Sequence, residues 1–471
     1  MKKTTWIGLA TILSTLSFAA YASTNSHSHI ALQEQTITSS PLKGTDWIRQ
    51  CIGQYPEVLW LADDNVRKTE EGEASLQGSY SKQLFGKKFI EFDRTMMTLH
   101  CLRLILNGSD EAYQEFTKAQ PENTRLSRGN FQIMHEQGQA LLNSQYLNMS
   151  TLEITQAMEA SLVLGDIGKS DTARELFKPY GAKAPDHDDF HEEMIQILQT
   201  HPELCPTFNR LPPKAKRLII ETANLAHYGH ITHLEGGPGM FSILRQRLVA
   251  ASPMALSFDF FVHSCDVMGA LGHVNNVSSL VYIEPTHCAM QGVLDSCKLL
   301  ESPSKTELDA YNHYLAIRAR WLGLNSDDRT ERALTRMGAM LRLFTTEDGL
   351  ILKKAIAKLS PEIRSQIIEQ LDIREGEELD RTPTYMPAVL VNLANNSILG
   401  ATKEERLSQA VILGLPFLAR VLATHKQRLL SNEVDTTVPL NFNQAAGVAK
   451  KAPHTLTGKH SIDSEGNVSV S

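Results

Sequence analysis

The sequence has no Cys-x-x-Cys pair, no Gly-rich phosphate loop, no Gly-x-Ser-x-Gly elbow, no internal repeat and no basic block. The first absence removes thioredoxin-like and zinc-ribbon readings. The second removes phosphate cradling of the P-loop kind, and the third removes Ser-His-Asp chemistry on a nucleophile elbow. Alternating runs of strand type are missing as well, so the 471-residue chain reads as all-α. With a formal charge of −7 and no Lys/Arg-rich helix, sequence-independent nucleic-acid binding has no electrostatic basis.

What is present begins with an export signal over residues 1–22. Lys2 and Lys3 form the basic start, Trp6 to Ala20 the apolar middle, and Ala20-Tyr21-Ala22 the small-x-small cleavage site before Ser23. Its loss removes two lysines and takes the mature charge from −7 to −9. The apolar run is short for a bilayer span, and no later segment reads as long and apolar enough to cross a membrane. The expectation is a periplasmic or secreted protein without a membrane span. Six cysteines survive cleavage, and an oxidising compartment permits disulfides. Cys51–Cys101 and Cys288–Cys297 are plausible pairs among fifteen possible pairings.

With 42% apolar residues the chain can build more than one core. Residues 23–127 read as a flexible lead-in to about 45, then a helical region. Phe92, Met96, Leu99, Arg103 and Leu106 predict one helix there. Residues 128–300 form a second helical domain holding most of the histidines, and residues 301–431 a third region. Ser304 with Glu307, Ser360 with Pro361, and Thr402 with Glu405 predict helix starts in the third region. Pro416 predicts a kink in its last long helix. Residues 432–471 are poor in large apolar side chains and read as a flexible tail.

The 128–300 segment carries the chemistry. Ser150 and Glu153 predict a capped helix on which Ile154, Met158 and Leu162 recur at four-residue spacing, with Asp166 next on the stripe. A lone buried carboxylate costs several kcal/mol, about the whole stability margin, unless a cation or donors meet it. Asp166 is also placed to cap the turn at Ile167-Gly168-Lys169-Ser170. Four other ligand-type residues share apolar faces. His135 lies with Phe131 and Leu142, and His191 with Met194, Ile195 and Leu198. His230 follows Ile219, Ala223 and Ala226, and Asp266 lies on the stripe of Phe258, Val262 and Ala270. Imidazole and carboxylate together suit a divalent transition metal such as Fe, Mn or Zn, which would offset both desolvated acids and activate a bound water. Lys169, one turn beyond Asp166, would hold an anionic oxygen.

The order His135, Gly165-Asp166-Ile167-Gly168-Lys169, His191, His230, Asp266 resembles the HD-domain metal-dependent phosphohydrolases, including the HD-GYP type, over roughly residues 128–285. The stretch from Gly165 to Lys169 stands where that family has His-Asp-Ile-Gly-Lys. The resemblance implies an HD-like helical core and a hydrolase of phosphoesters or nucleotides. Metal would be held by His135, Asp166, His191, His230 and Asp266, with Asp166 also orienting the attacking water and Lys169 steadying a small-molecule phosphoester substrate. The sequence departs from the family at two positions: Gly165 replaces the motif His, and Ile231 replaces the second His of a His-His pair. The alternative is a non-catalytic secreted protein that binds a protein partner on a degenerate HD-like scaffold.

Overall fold

The computed structural model describes residues 36–63, 79–184, 187–223, 225–374, 381–431 and 438–471. The export signal and most of the lead-in lie outside the described residues. The fold is all-α, with one short hairpin among the described residues, His460–Ile462 against Val468–Val470. The chain forms two compact units. One takes the chain up to Ala223 and again Phe261–Val281; the other takes Asn224–Phe260 and Tyr282–Ser471. The 128–300 segment, read from the sequence as one domain, contributes to both units.

The first unit is organised around the Ile90–Asn107 helix, which carries the predicted apolar stripe. It packs against Arg128–Leu142 and Thr151–Ile167. Phe92, Met96 and Leu99 are fully buried, as are Phe131 and Met134 of the second helix and Ile154 and Met158 of the third. Ser150 and Glu153 form the expected capping box: the Glu153 amide donates to Ser150 Oγ, and the Ser150 amide donates to Glu153 Oε2 at 2.7 Å. The C-terminal part of the Ala255–Gly269 helix lies against Ile90–Asn107 so closely that a Cβ at Gly269 would collide with Thr98. That approach requires glycine.

The lead-in is not loose where it is described. Ile37 is fully buried, and Thr38 donates to Glu159 Oε1 from its amide at 2.9 Å and its hydroxyl at 2.8 Å. Trp47 Nε1 donates to the Ile37 carbonyl at 3.0 Å. The segment is tied down by polar contacts to a buried acid, which its own composition does not reveal.

The second unit has its core among Ala319, Leu334, Met337, Leu352, Ile367, Leu390, Phe417 and their neighbours. Ser360 caps Pro361–Leu371 and Thr402 caps Lys403–Gln409, as their spacing predicts. The Ser304 start is displaced: Thr306 caps Glu307–Trp321 in a box with Asp309. Pro416 acts through a widened turn at Ala410–Gly414 that precedes Leu415–Leu430, since it has no N–H and its ring crowds the carbonyl four residues back. The continuous helical stretch Lys403–Leu430 is long and apolar enough to span a membrane, contrary to the sequence reading. Two thirds of its apolar window is buried in the unit, as in a core helix.

The tail reading is corrected too. Within 438–471, Leu440, Phe442, Ala445, Ala449, Leu456 and Val468 are fully buried. Asn443–Lys451 packs on Met386–Asn395. Asn441 joins the hairpin, its amide donating to the Gly466 carbonyl and its carbonyl accepting from Val468, both at 2.9 Å. Small residues there allow close packing instead of disorder. The disulfide pairs are also corrected: all six cysteines are free thiols, and all but Cys288 are buried. Cys288 and Cys297 share the Glu284–Lys298 helix. Nine residues of helix separate them by about 13 Å, too far for a disulfide.

Candidate functional site

Asp166 meets a lysine. Its position on the stripe below Leu162 buries it to 5% exposure at the end of Thr151–Ile167. There Lys169 Nζ lies 2.5 Å from Asp166 Oδ1 and 3.1 Å from Glu91 Oε2. The other Asp166 oxygen accepts from Thr95 Oγ1 at 2.6 Å; the Glu91 carbonyl, 3.0 Å from the same hydroxyl, is that proton's alternative acceptor. Arg94 adds a second cation, 3.5 Å from Glu91 Oε1. Glu91, Arg94 and Thr95 come from the first turns of Ile90–Asn107, so two helices and one intervening turn assemble the cluster.

Asp266 brings a third carboxylate near. Burial first, then the Asp166 charge, push it up to about 6. Burial also opposes ionisation of Asp166, but the Lys169 charge and the hydrogen bonds from Lys169 and Thr95 win and hold its carboxyl below the usual range. Burial likewise opposes the charge on Lys169, and Asp166 and Glu91 overcome it and raise its affinity for its proton. The two aspartates are therefore shifted in opposite directions, Asp166 down by its ammonium and hydroxyl partners and Asp266 up by burial and the Asp166 charge.

His191 stands beside this group. Its Nδ1 is 3.1 Å from the Leu164 carbonyl, burial lowers its pKa, and the Asp166 charge acts on it in the opposite sense. Met194, Ile195 and Leu198 on its face are buried. His135 is placed elsewhere: its Nδ1 lies 2.9 Å from the Ile105 carbonyl. Ile105 is ten residues along the helix from Thr95, about 15 Å. His230 belongs to the second unit, where its Nδ1 pairs with Glu235 Oε2 at 3.1 Å and its ring meets His227 edge-on. It does not continue the stripe of Ile219, because that helix stops at Thr222 and a separate one runs Tyr228–His233.

Of the five residues read as ligands, the first unit thus gathers Asp166, Asp266 and His191, with Lys169 among them. Among the described residues, no three His, Cys, Asp or Glu side chains are arranged to hold a metal ion. The donor set explains this. Asp166 already spends one oxygen on an ammonium and the other on a hydroxyl, Glu91 is shared between Lys169 and Arg94, and Gly165 has no donor side chain. Two cations among three acids leave little negative charge for an added ion to neutralise. A divalent metal does not fit this arrangement unless Lys169 withdraws.

The sequence reading missed Glu91, Arg94 and Thr95. A signal for them exists: Glu91, Thr95 and Thr98 are spaced four and three apart on a helix otherwise rich in Met, Leu and Ile. Polar residues at helical spacing inside an apolar stripe mark a buried polar seam.

No curated protein and no solved structure matches the chain. A family model matches residues 57–450, and the chain accordingly belongs to that family, DUF6829, a family of unknown function.

Proposed function

We propose that this chain is a non-catalytic helical binding protein in which the Asp166 cluster is a structural charge core. The observation that carries the reading is the Lys169 ammonium, 2.5 Å from Asp166 and 3.1 Å from Glu91, in the position where a hydrolytic centre would need its cation. A charge-balanced, hydrogen-bonded core of this kind fixes the packing of Ile90–Asn107 on Thr151–Ile167 and has no demand for metal. The test is turnover by the purified protein on phosphomonoesters, cyclic nucleotides and nucleoside triphosphates, each with Mn, Fe or Zn supplied. No turnover is expected; turnover that disappears in Asp166→Asn contradicts the reading.

A second reading, an exported metal-dependent phosphohydrolase of the HD type, is favoured by one observation: Asp166, Asp266 and His191 come together with split carboxyl affinities. It requires Lys169 to leave Asp166 when a substrate phosphate and a metal enter. It then expects turnover on the same panel.

A further inference from the structure

The second unit contains a cleft with about 400 Å³ of atom-free space, its mouth included. Arg336, Arg381 and Lys426 line it together with Gly236, Gly237 and Gln370, and among the described residues no acidic side chain lines it. The cationic groups differ in how they are held. Arg336 is 1% exposed and pinned by backbone carbonyls, with Nε donating to Leu234 at 2.8 Å and a second nitrogen donating to Glu235. Those carbonyls take up part of its donor set, and burial lowers its pKa against Tyr311 and the Glu235 charge, which raise it. Lys426 and Leu422 are four residues apart on Leu415–Leu430 and both face the cleft. Among the described residues neither Lys426 nor Arg381 makes an ion pair.

Three like charges around one cleft repel each other, and a bound anion lessens that cost. The backbone wall at Gly236 approaches closely: a Cβ there would lie 2.8 Å from Met240 Cγ and Thr382 Oγ1. Glycine therefore keeps this wall free of side-chain bulk. Two planar guanidinium groups and an ammonium match an oxyanion of charge two, with Gln370 as a neutral donor.

We propose that this cleft is a binding site for a small phosphate-bearing anion, with Arg381 and Lys426 as its more accessible cationic contacts and Arg336 as its buried base. Inorganic phosphate and small phosphomonoesters carry the charge and the oxygens this cationic set matches. The cleft shares no residue with the Asp166 cluster, so it stands whichever reading of that cluster holds.

The test is isothermal titration of the full chain with inorganic phosphate at constant ionic strength, repeated with Lys426→Gln, Arg381→Gln and the double variant. Lys451→Gln, on an exposed lysine of another helix, is the charge-matched control. Expected are saturable binding by the wild type and the control, affinity at least tenfold weaker in each single variant, and no measurable binding in the double. Circular dichroism checks that the variants fold. Absence of phosphate binding by the wild type, or equal affinity in the double variant, overturns the proposal. Malonate binding as tightly as phosphate overturns the phosphate assignment in favour of carboxylates.

Discussion

Replacing Lys169 by methionine tests the charge core most sharply. Methionine keeps a stem of comparable length and removes the ammonium. Removing one partner of a buried ion pair costs about 3–5 kcal/mol, because the remaining charge stays desolvated. Here two acids lose the partner, but Arg94 remains beside Glu91, and 18% of the Lys169 side chain is exposed. The expected loss is therefore at the low end, about 3 kcal/mol. For a unit of this size that lowers the melting temperature by about 10 °C. The assay is thermal and urea unfolding of Lys169→Met followed by circular dichroism at pH 7.5 and pH 4.5. Without Lys169 the Asp166 carboxyl rises above its unfolded value, so the penalty should be fully present at pH 7.5 and shrink at pH 4.5, where the acid takes up a proton. The double variant Asp166→Asn, Lys169→Met should recover part of the loss, because Asp166 then carries no unpaired charge and Arg94 remains beside Glu91. A loss under about 1 kcal/mol, or strict additivity of the two substitutions, refutes the reasoning.

Glu159 sets the sign of a pH dependence. Burial pushes it up to about 7, against hydrogen bonds from Tyr55 and Thr38 that favour ionisation. Between about 4.5 and 7 the folded chain keeps a proton that the unfolded chain has released, so stability falls through that window by about 3 kcal/mol. Asp93, at about 6, and Asp259, at about 7, act in the same direction. Urea midpoints should decline from pH 5 to 8, and Glu159→Gln should flatten the decline; an unchanged slope contradicts the assignment. Thiol titration of the unreduced, denatured protein should find six reactive groups, and fewer would mean that disulfides form. Truncation after Lys459 should destabilise the second unit by about 3 kcal/mol, since it removes buried Val468 and the pairing of Asn441. An unchanged unfolding midpoint would restore the tail as a dispensable appendage.

The helices that can be read from the sequence are those with local punctuation. Ser150 with Glu153, Ser360 with Pro361 and Thr402 with Glu405 mark real helix starts because a cap is satisfied within four residues. The buried position of Asp166 was legible for a related reason: three preceding apolar residues at fixed spacing point it inward. Its partner was less legible. Lys169 lies three residues away on the same turn, but whether such a lysine turns inward to a carboxylate or outward to a substrate depends on Glu91, some eighty residues earlier. Likewise His135 and His191 share the same pattern of apolar neighbours, and only tertiary packing decides that one binds the Ile105 carbonyl and the other stands near Asp166. The tail shows a further limit: alanines and single large residues pack well in a crevice, and composition alone does not register the crevice.

The central claim is that Lys169 supplies the positive charge Asp166 requires. Elemental analysis of the purified full chain, beside Asp166→Ala and Asp266→Ala, tests it most directly. Far less than one transition-metal ion per chain is expected in all three, with no change in wild-type thermal stability on chelation. One ion per wild-type chain, lost in both variants, would contradict it.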